Sequence, residues 1–224
     1  MSRINALNKP PKSLKCLNTK PKPLTPNDSA ISLMQNTDER PDIMSDLSHH
    51  KSLRISIISD THTVLDERIA DVIKESDIAI HAGDICCGSV LEKMHPKLGH
   101  IFAVTGNNDH HTIWPAEQKE IVEALPDIVE INLPGGILAV EHGHEHGHHK
   151  PSHESLRQAH PQARVIVYGH THSQVCDKDE LPWVINPGAA GATRTRGGPS
   201  CLILTTSDNT GWTVEALRFE DITT

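Results

Sequence analysis

RISIISDTH, residues 54–62, decides how the chain folds. The aliphatic run from Arg54 to Ser59 stops at a polar cluster, Asp60-Thr61-His62, and so reads as a buried strand with chemistry at its carboxyl end. Asp66 to Ser76 follows, with Ile69, Val72 and Ile73 on one helical face and acids in the first turn, which predicts a helix. Ile78 to Ile80 reads as a second strand and Ile101 to Val104 as a third, with a short helical stretch near Val90–Met94 between them. Strand, helix, strand, helix, strand is the order of a parallel sheet with right-handed crossovers.

Further along the rhythm changes. Ile128 to Leu133 and Ile137 to Glu141 flank Pro134-Gly135-Gly136, a hairpin signal. After a helix near Ser152–Gln158 come strand-like runs at Val165–Tyr168, Gln174–Asp177, Trp183–Ile185, Ser200–Thr205 and Trp212–Leu217. These are more strands than one ordinary sheet holds, so the expected architecture is an α/β domain of two stacked mixed sheets with helices outside.

In the other direction from residue 54 the chain is a different polymer. Residues 1–53 contain Pro10, Pro11, Pro21, Pro23, Pro26 and Pro41 and no glycine or aromatic residue, and Arg3, Lys9, Lys12, Lys15, Lys20 and Lys22 precede the first acid, Asp28. The prolines block a helix and no apolar periodicity offsets the entropy of ordering, so 1–53 is expected to be a disordered basic, proline-rich extension and 54–224 the folded domain. No apolar core follows the basic residues as a secretory signal requires, and the prolines disfavour an amphipathic transit peptide.

Composition narrows the function classes. Of 224 residues, 21 are Lys or Arg and 29 Asp or Glu, a formal charge of −8, which argues against a sequence-independent nucleic-acid binder. No run approaches the ~20 apolar residues of a membrane span. Five cysteines without a CxxC pair are no disulfide framework, so a reducing compartment, the cytoplasm, is expected.

The seventeen histidines are the other unusual count, and their positions matter more than their number. The first strand ends in Asp60-Thr61-His62, the second in Gly83-Asp84, and the third in Gly106-Asn107-Asn108-Asp109. The second strand of the hairpin ends in His142-Gly143-His144 and the next in Gly169-His170-Thr171-His172. In open α/β sheets ligands bind at the carboxyl ends of strands. One Gly-Asp or one histidine there carries little; five consecutive strand ends, each bearing oxygen or nitrogen donors and most of them beside a glycine, describe a metal centre. Carboxylate, amide and imidazole without thiolate suit manganese, iron, zinc or nickel. Seven donors exceed what one tetrahedral ion takes and fit two ions sharing a carboxylate. Two divalent ions against Asp60, Asp84 and one hydroxide leave a net positive charge, which attracts an anionic phosphate.

The ordered blocks D-x-H, GD, GN-x-D, H and GH-x-H, present as Asp60-Thr61-His62, Gly83-Asp84, Gly106-Asn107-Asn108-Asp109, His142-Gly143 and Gly169-His170-Thr171-His172, resemble the calcineurin-like metallophosphoesterase superfamily. The compact length and Asn186-Pro187-Gly188 are similar to its small, single-domain phosphodiesterase branch, and the resemblance runs over roughly residues 54–218. It implies a four-layer α-β-β-α sandwich of two mixed sheets flanked by helices. It implies one metal on Asp60, His62, Asp84 and His172, and a second on Asp84, Asn107, His142 and His170, with Asp84 bridging and manganese the first choice of ion. The implied activity is hydrolysis of a phosphodiester by a metal-bridging hydroxide. Asp109 would orient a ligand or the hydrogen bonds on the phosphate side. Asn108 stands where other branches carry a histidine that protonates the leaving group; an amide is a poor acid, so the leaving group is good or His144 serves instead. Two alternatives follow: a phosphomonoesterase, which the missing acid disfavours, and a non-catalytic protein-binding scaffold on the same fold, which the filled ligand positions disfavour. The expected partner is a small phosphodiester; nucleic acid enters only as a substrate, no membrane is involved, and self-association is left open.

Other features have blander readings. His146, His148, His149 and His153 in HGHEHGHHKPSH (142–153) read as a mobile polar rim rather than a metal-collecting loop. Cys86-Cys87 read as small residues packing a tight turn, and His110 and His111 as caps of a solvated loop. Thr193-Arg194-Thr195-Arg196 is either a solvated loop or a phosphate contact.

Overall fold

The computed structural model describes residues 43–221. Among the described residues, eleven strands form two mixed sheets. The first consists of β1 (Ile43–Asp46), β5 (Ile128–Leu133), β6 (Gly136–Glu141), β7 (Val165–Val167), β9 (Trp183–Pro187) and β8 (Gln174–Asp177), in that spatial order. The second runs β11 (Thr213–Arg218), β10 (Ser200–Ser207), β2 (Ser52–Ile58), β3 (Ile78–His81) and β4 (Ile101–Ala103). β2, β3 and β4 are parallel, as the opening pattern predicts, while β10 joins β2 antiparallel. β5 and β6 form the expected hairpin, with Leu133 paired to Gly136 across Pro134-Gly135.

Strand periodicity sorts the side chains into layers. Ile55 and Ile57 of β2 and Ile78 and Ile80 of β3 meet Leu138 and Val140 of β6 and Val165 and Val167 of β7 between the sheets. The outward Ala79 joins a second cluster with Ile69 and Ile73 of α1 (Glu67–Lys74) and Val90 of α2 (Gly88–Glu92), to which Val122 of α3 (Lys119–Ala124) also belongs. On the other face Ala139, Ile166 and Val184 pack with Leu156 of α4 (His153–Ala159). Three apolar layers thus separate helices, sheet, sheet and helix, in agreement with the expected sandwich. Asp66 starts α1 by accepting from the Arg68 N–H at 3.0 Å, and Ser152 caps α4.

The first described strand precedes residue 54. β1 pairs in parallel with β5, Ile43 through Asp46 opposite Val129 through Asn132, and the 53/54 boundary falls inside β2. Residues 1–42, the greater part of the expected extension, lie outside the described residues. Among the described residues no helix is long and apolar enough to cross a membrane.

Candidate metal centre

The strand ends are zipped together through their backbones. Asp60 N–H donates to Gly83 O (3.0 Å), His62 N–H to Asp84 O (3.0 Å) and Thr63 N–H to Ile85 O (2.9 Å), so the turn after β2 is read onto the turn after β3. Across the sandwich His142 Nδ1 lies 2.7 Å from the carbonyl of Ala82, tying the end of β6 to the end of β3. Gly106 is obligatory at the next junction: a Cβ there would collide with the backbone nitrogen and carboxylate of Asp84. Gly83, at φ +88°, also leaves no room for a Cβ against His142.

This assembly holds several non-glycine residues in left-handed backbone, which costs free energy and concentrates at functional sites. Asp60 (φ 54°), His62 (43°), Asp84 (57°), His170 (69°) and His172 (54°) are all in that region. Five of the seven expected donors are therefore on strained backbone.

Asp60, His62, Asp84 and His172 converge, each offering one ligand atom within 4.8 Å of the others. His62 Nε2 is 3.1 Å from His172 Nε2 and 3.6 Å from Asp84 Oδ2, and His172 Nε2 is 3.3 Å from Asp60 Oδ1. Ligands about 2.1 Å from one ion are separated from each other by about 3.0–3.5 Å, so these spacings fit a coordination shell. Both carboxylate oxygens of Asp60 are buried and receive no hydrogen bond, and neither does the buried Nε2 of His142. Buried polar atoms left unsatisfied in this way are costly, and a bound cation would satisfy them.

The electrostatics agree. Burial pushes the Asp60 carboxyl up to about 7, with Asp84 adding to the rise. Asp84 is held below the usual carboxylate range although burial works against it, because His142 and Asn108 stabilise its charge. His172 is lowered to about 4 by burial, with the cation of Arg194 adding to the effect, and His62 is lowered for the same two reasons against the pull of Asp84. Both imidazoles are neutral near pH 7, the form that binds metal.

The other donors form a looser group. His142 Nε2 stands 3.4 Å from Asp84 Oδ1, on the opposite carboxylate oxygen from His62. His170 Nδ1 is 2.9 Å from Asn107 Oδ1, its Nε2 is 2.6 Å from the carbonyl of His148, and its ring lies 5.4 Å from that of His142. Among the described residues, no second group of three His, Cys, Asp or Glu donors closes as tightly.

The three residues expected to be catalytic have distinct surroundings. Asn108 faces inward: its backbone N–H and its Nδ2 donate to Asp84 Oδ1 and Oδ2 at 2.8 and 2.7 Å, so it positions that carboxylate. Asp109 is buried and accepts from the backbone N–H groups of Ile85, Cys86 and Gly106 and from Trp114 Nε1, between 2.7 and 3.1 Å. Through these bonds it holds the turn that carries Asp84. His144 lines a cleft of about 340 Å³ together with Gly106, Asp109, His110 and His111. Burial and neighbouring His142 hold it below the ordinary histidine value.

Sequence reasoning missed or left open other contacts. His81, fully buried behind the site, meets Thr61 Oγ1 at 2.9 Å, and burial lowers it to about 3. Cys86 Sγ is 3.6 Å from His62 Nδ1. The histidine-rich stretch is partly built into the wall, since His146 contacts Glu141 (3.1 Å) and Ser155 (2.7 Å), and His153 contacts Asp177 (2.7 Å) and Tyr168 (3.2 Å). The Thr193–Arg196 segment reaches the site, with Arg194 Nη2 2.7 Å from His62 Nε2.

The chain is similar to proteins already known. The family model for the calcineurin-like phosphoesterase superfamily domain matches residues 53–209. Phosphodiesterase MJ0936 of Methanocaldococcus jannaschii is 31% identical over 152 residues, which is 61% of this chain and 83% of that protein. Probable metallophosphoesterase MJ0623 of the same organism is 27% identical over 150 residues, 64% of this chain and 71% of that one. Among solved structures, vacuolar protein sorting 29 of Cryptosporidium parvum superposes with a TM-score of 0.60 at 15% identity, over 76% of this chain and 100% of that chain. That likeness is one of fold.

Proposed function

The chain belongs to the calcineurin-like phosphoesterase superfamily, and from that premise we propose that it is a dinuclear metal-dependent phosphodiesterase acting on a small phosphodiester. The observation that carries this reading is the convergence of Asp60, His62, Asp84 and His172 around unsatisfied carboxylate oxygens on strained strand ends.

Two divalent ions, manganese by preference, would supply Lewis acidity and an activated water as nucleophile. Asp60, His62, Asp84 and His172 would hold one, and Asp84, Asn107, His142 and His170 the other. The carboxylate of Asp84 is suited to bridging because its two oxygens face different histidines, Oδ2 towards His62 and Oδ1 towards His142. Asn108 fixes the plane of that carboxylate with two hydrogen bonds, which leaves no acid at the position where a leaving group would need one. Burial and neighbouring His142 hold His144 below the ordinary histidine value, which makes it the less favoured acid. Esters whose leaving group needs no protonation are therefore preferred, and this favours diesters of acidic alcohols over phosphomonoesters.

Metal analysis of the purified chain, with hydrolysis of bis(4-nitrophenyl) phosphate, tests the proposal. About two divalent ions per chain are expected, and Asp84→Asn should lower the rate more than about 100-fold. Equal rates for the two proteins would overturn the enzymatic reading in favour of a scaffold on the same fold.

A further inference from the structure

Arg194 is not one of the seven donors, yet its guanidinium reaches the first set of them. Nη2 lies 2.7 Å from His62 Nε2. A guanidinium only donates, so the imidazole nitrogen offers its lone pair, and that is the same lone pair a metal would take. His62 Nδ1 then carries the proton and faces Cys86 Sγ.

The approach is built by the backbone around it. Before the arginine, Ala190 N–H donates to Ser59 O at 2.9 Å, and Gly191 lies so close to Thr61 that no Cβ fits. After it, Thr195 Oγ1 donates to Asp221 Oδ1 at 3.1 Å and Arg218 Nη1 to the carbonyl of Arg196 at 2.7 Å. Gly198 is packed against the carbonyl of Phe219 with no room for a Cβ. Between these anchors Arg194 itself is left-handed, at φ 55°. A segment with pinned backbone and a strained arginine at its tip presents a cation to a site whose other groups are carboxylates, imidazoles and amides.

A planar guanidinium matches two phosphate oxygens in a fork, and it cannot share the His62 lone pair with a metal ion. We propose that Arg194 binds the anionic phosphoryl oxygens of the substrate, yielding the His62 lone pair to the first cation and turning its guanidinium to the phosphate; this rests on the metal-dependent reading above. The residue then acts in two opposite senses. It competes with the first metal ion and it retains phosphate.

A residue that merely holds a loop would not produce opposite effects, which gives the experiment its readout. Manganese binding and orthophosphate binding to the manganese-loaded full chain are measured by calorimetry for wild type, Arg194→Gln, Arg194→Lys and Arg196→Gln. Arg194→Gln is expected to bind manganese at the tighter site several-fold more strongly and orthophosphate about tenfold more weakly, with KM for bis(4-nitrophenyl) phosphate rising in step. Arg194→Lys should recover part of the phosphate affinity, and Arg196→Gln, the same charge change in the same segment, should match wild type. The proposal is overturned if Arg194→Gln matches Arg196→Gln, or if manganese and phosphate binding weaken together. A wild-type chain that binds no manganese would instead overturn the reading of the site as a metal centre.

Discussion

Asp109 illustrates how a single carboxylate can govern a site without touching its ligands. Its two oxygens collect four donors, three of them backbone N–H groups in the turns that follow β3 and β4. Ile85 and Cys86 come directly after Asp84, so the carboxylate fixes where Asp84 points. An asparagine offers one acceptor oxygen and sets an NH₂ against donors that it cannot satisfy. Asp109→Asn should therefore lower unfolding free energy by about 2–4 kcal/mol in urea titrations. Manganese affinity should fall about tenfold or more, as when a residue supporting a metal ligand is lost. Unchanged values in both measurements would mean that the turns hold themselves. The motif marks Asp109 as an orienting residue, but the identity of what it orients was not legible, because backbone donors leave no trace in side-chain identity.

At the level of elements, legibility followed burial. β2, β3, β6 and β7 are aliphatic runs largely buried on both faces, and each could be placed to within one or two residues. α3 went unseen because Val122 is its only buried residue, and one apolar position makes no pattern. Donors ending strands were legible for the same reason as the strands, whereas Arg194 meets His62 across 132 residues of sequence, a contact that only the closed sandwich creates. The tie between α4 and the first sheet was likewise hidden. His160 at the end of α4 is buried, with Nε2 2.8 Å from Glu141 Oε1 and Nδ1 3.6 Å from Glu130 Oε1, while His146 holds the other oxygen of Glu141. Burial would lower the pKa of His160, but Glu141 and Glu130 outweigh it and the value is raised. A raised folded-state value means stabilisation that is complete below the unfolded pKa of about 6.5 and lost as pH rises through the folded one. The stability difference between wild type and His160→Gln should thus be larger near about pH 6 than near about pH 9, as chemical denaturation at the two values would reveal. A difference independent of pH would show that His160 contributes by packing alone.

On the scale of the whole molecule, the question is where the domain starts. A boundary at residue 54 suits composition, since Ile43–Asp46 is four residues long, half polar, and follows a proline-rich stretch. Strand pairing favours an earlier limit. β1 covers the edge of β5 through four paired residues, Leu47 N–H donates to Asn132 O at 2.8 Å, and Leu47, 7% exposed, enters the core between the sheets. Removing β1 would uncover a hydrogen-bonding edge and take a leucine from that core, a loss of about 2–3 kcal/mol. For a domain of this size that is about 5–10 °C in melting temperature. A chain beginning at Ile43 should melt within about 2 °C of the full chain, and one beginning at Ser52 should melt about 5–10 °C lower and aggregate more readily through the open edge of β5. The residues proposed to hold metal follow other strands, so the shorter chain should still bind manganese at temperatures where it is folded. Should the chain beginning at Ser52 melt as high as the one beginning at Ile43, β1 would be a passenger on the sheet and the domain would start at β2.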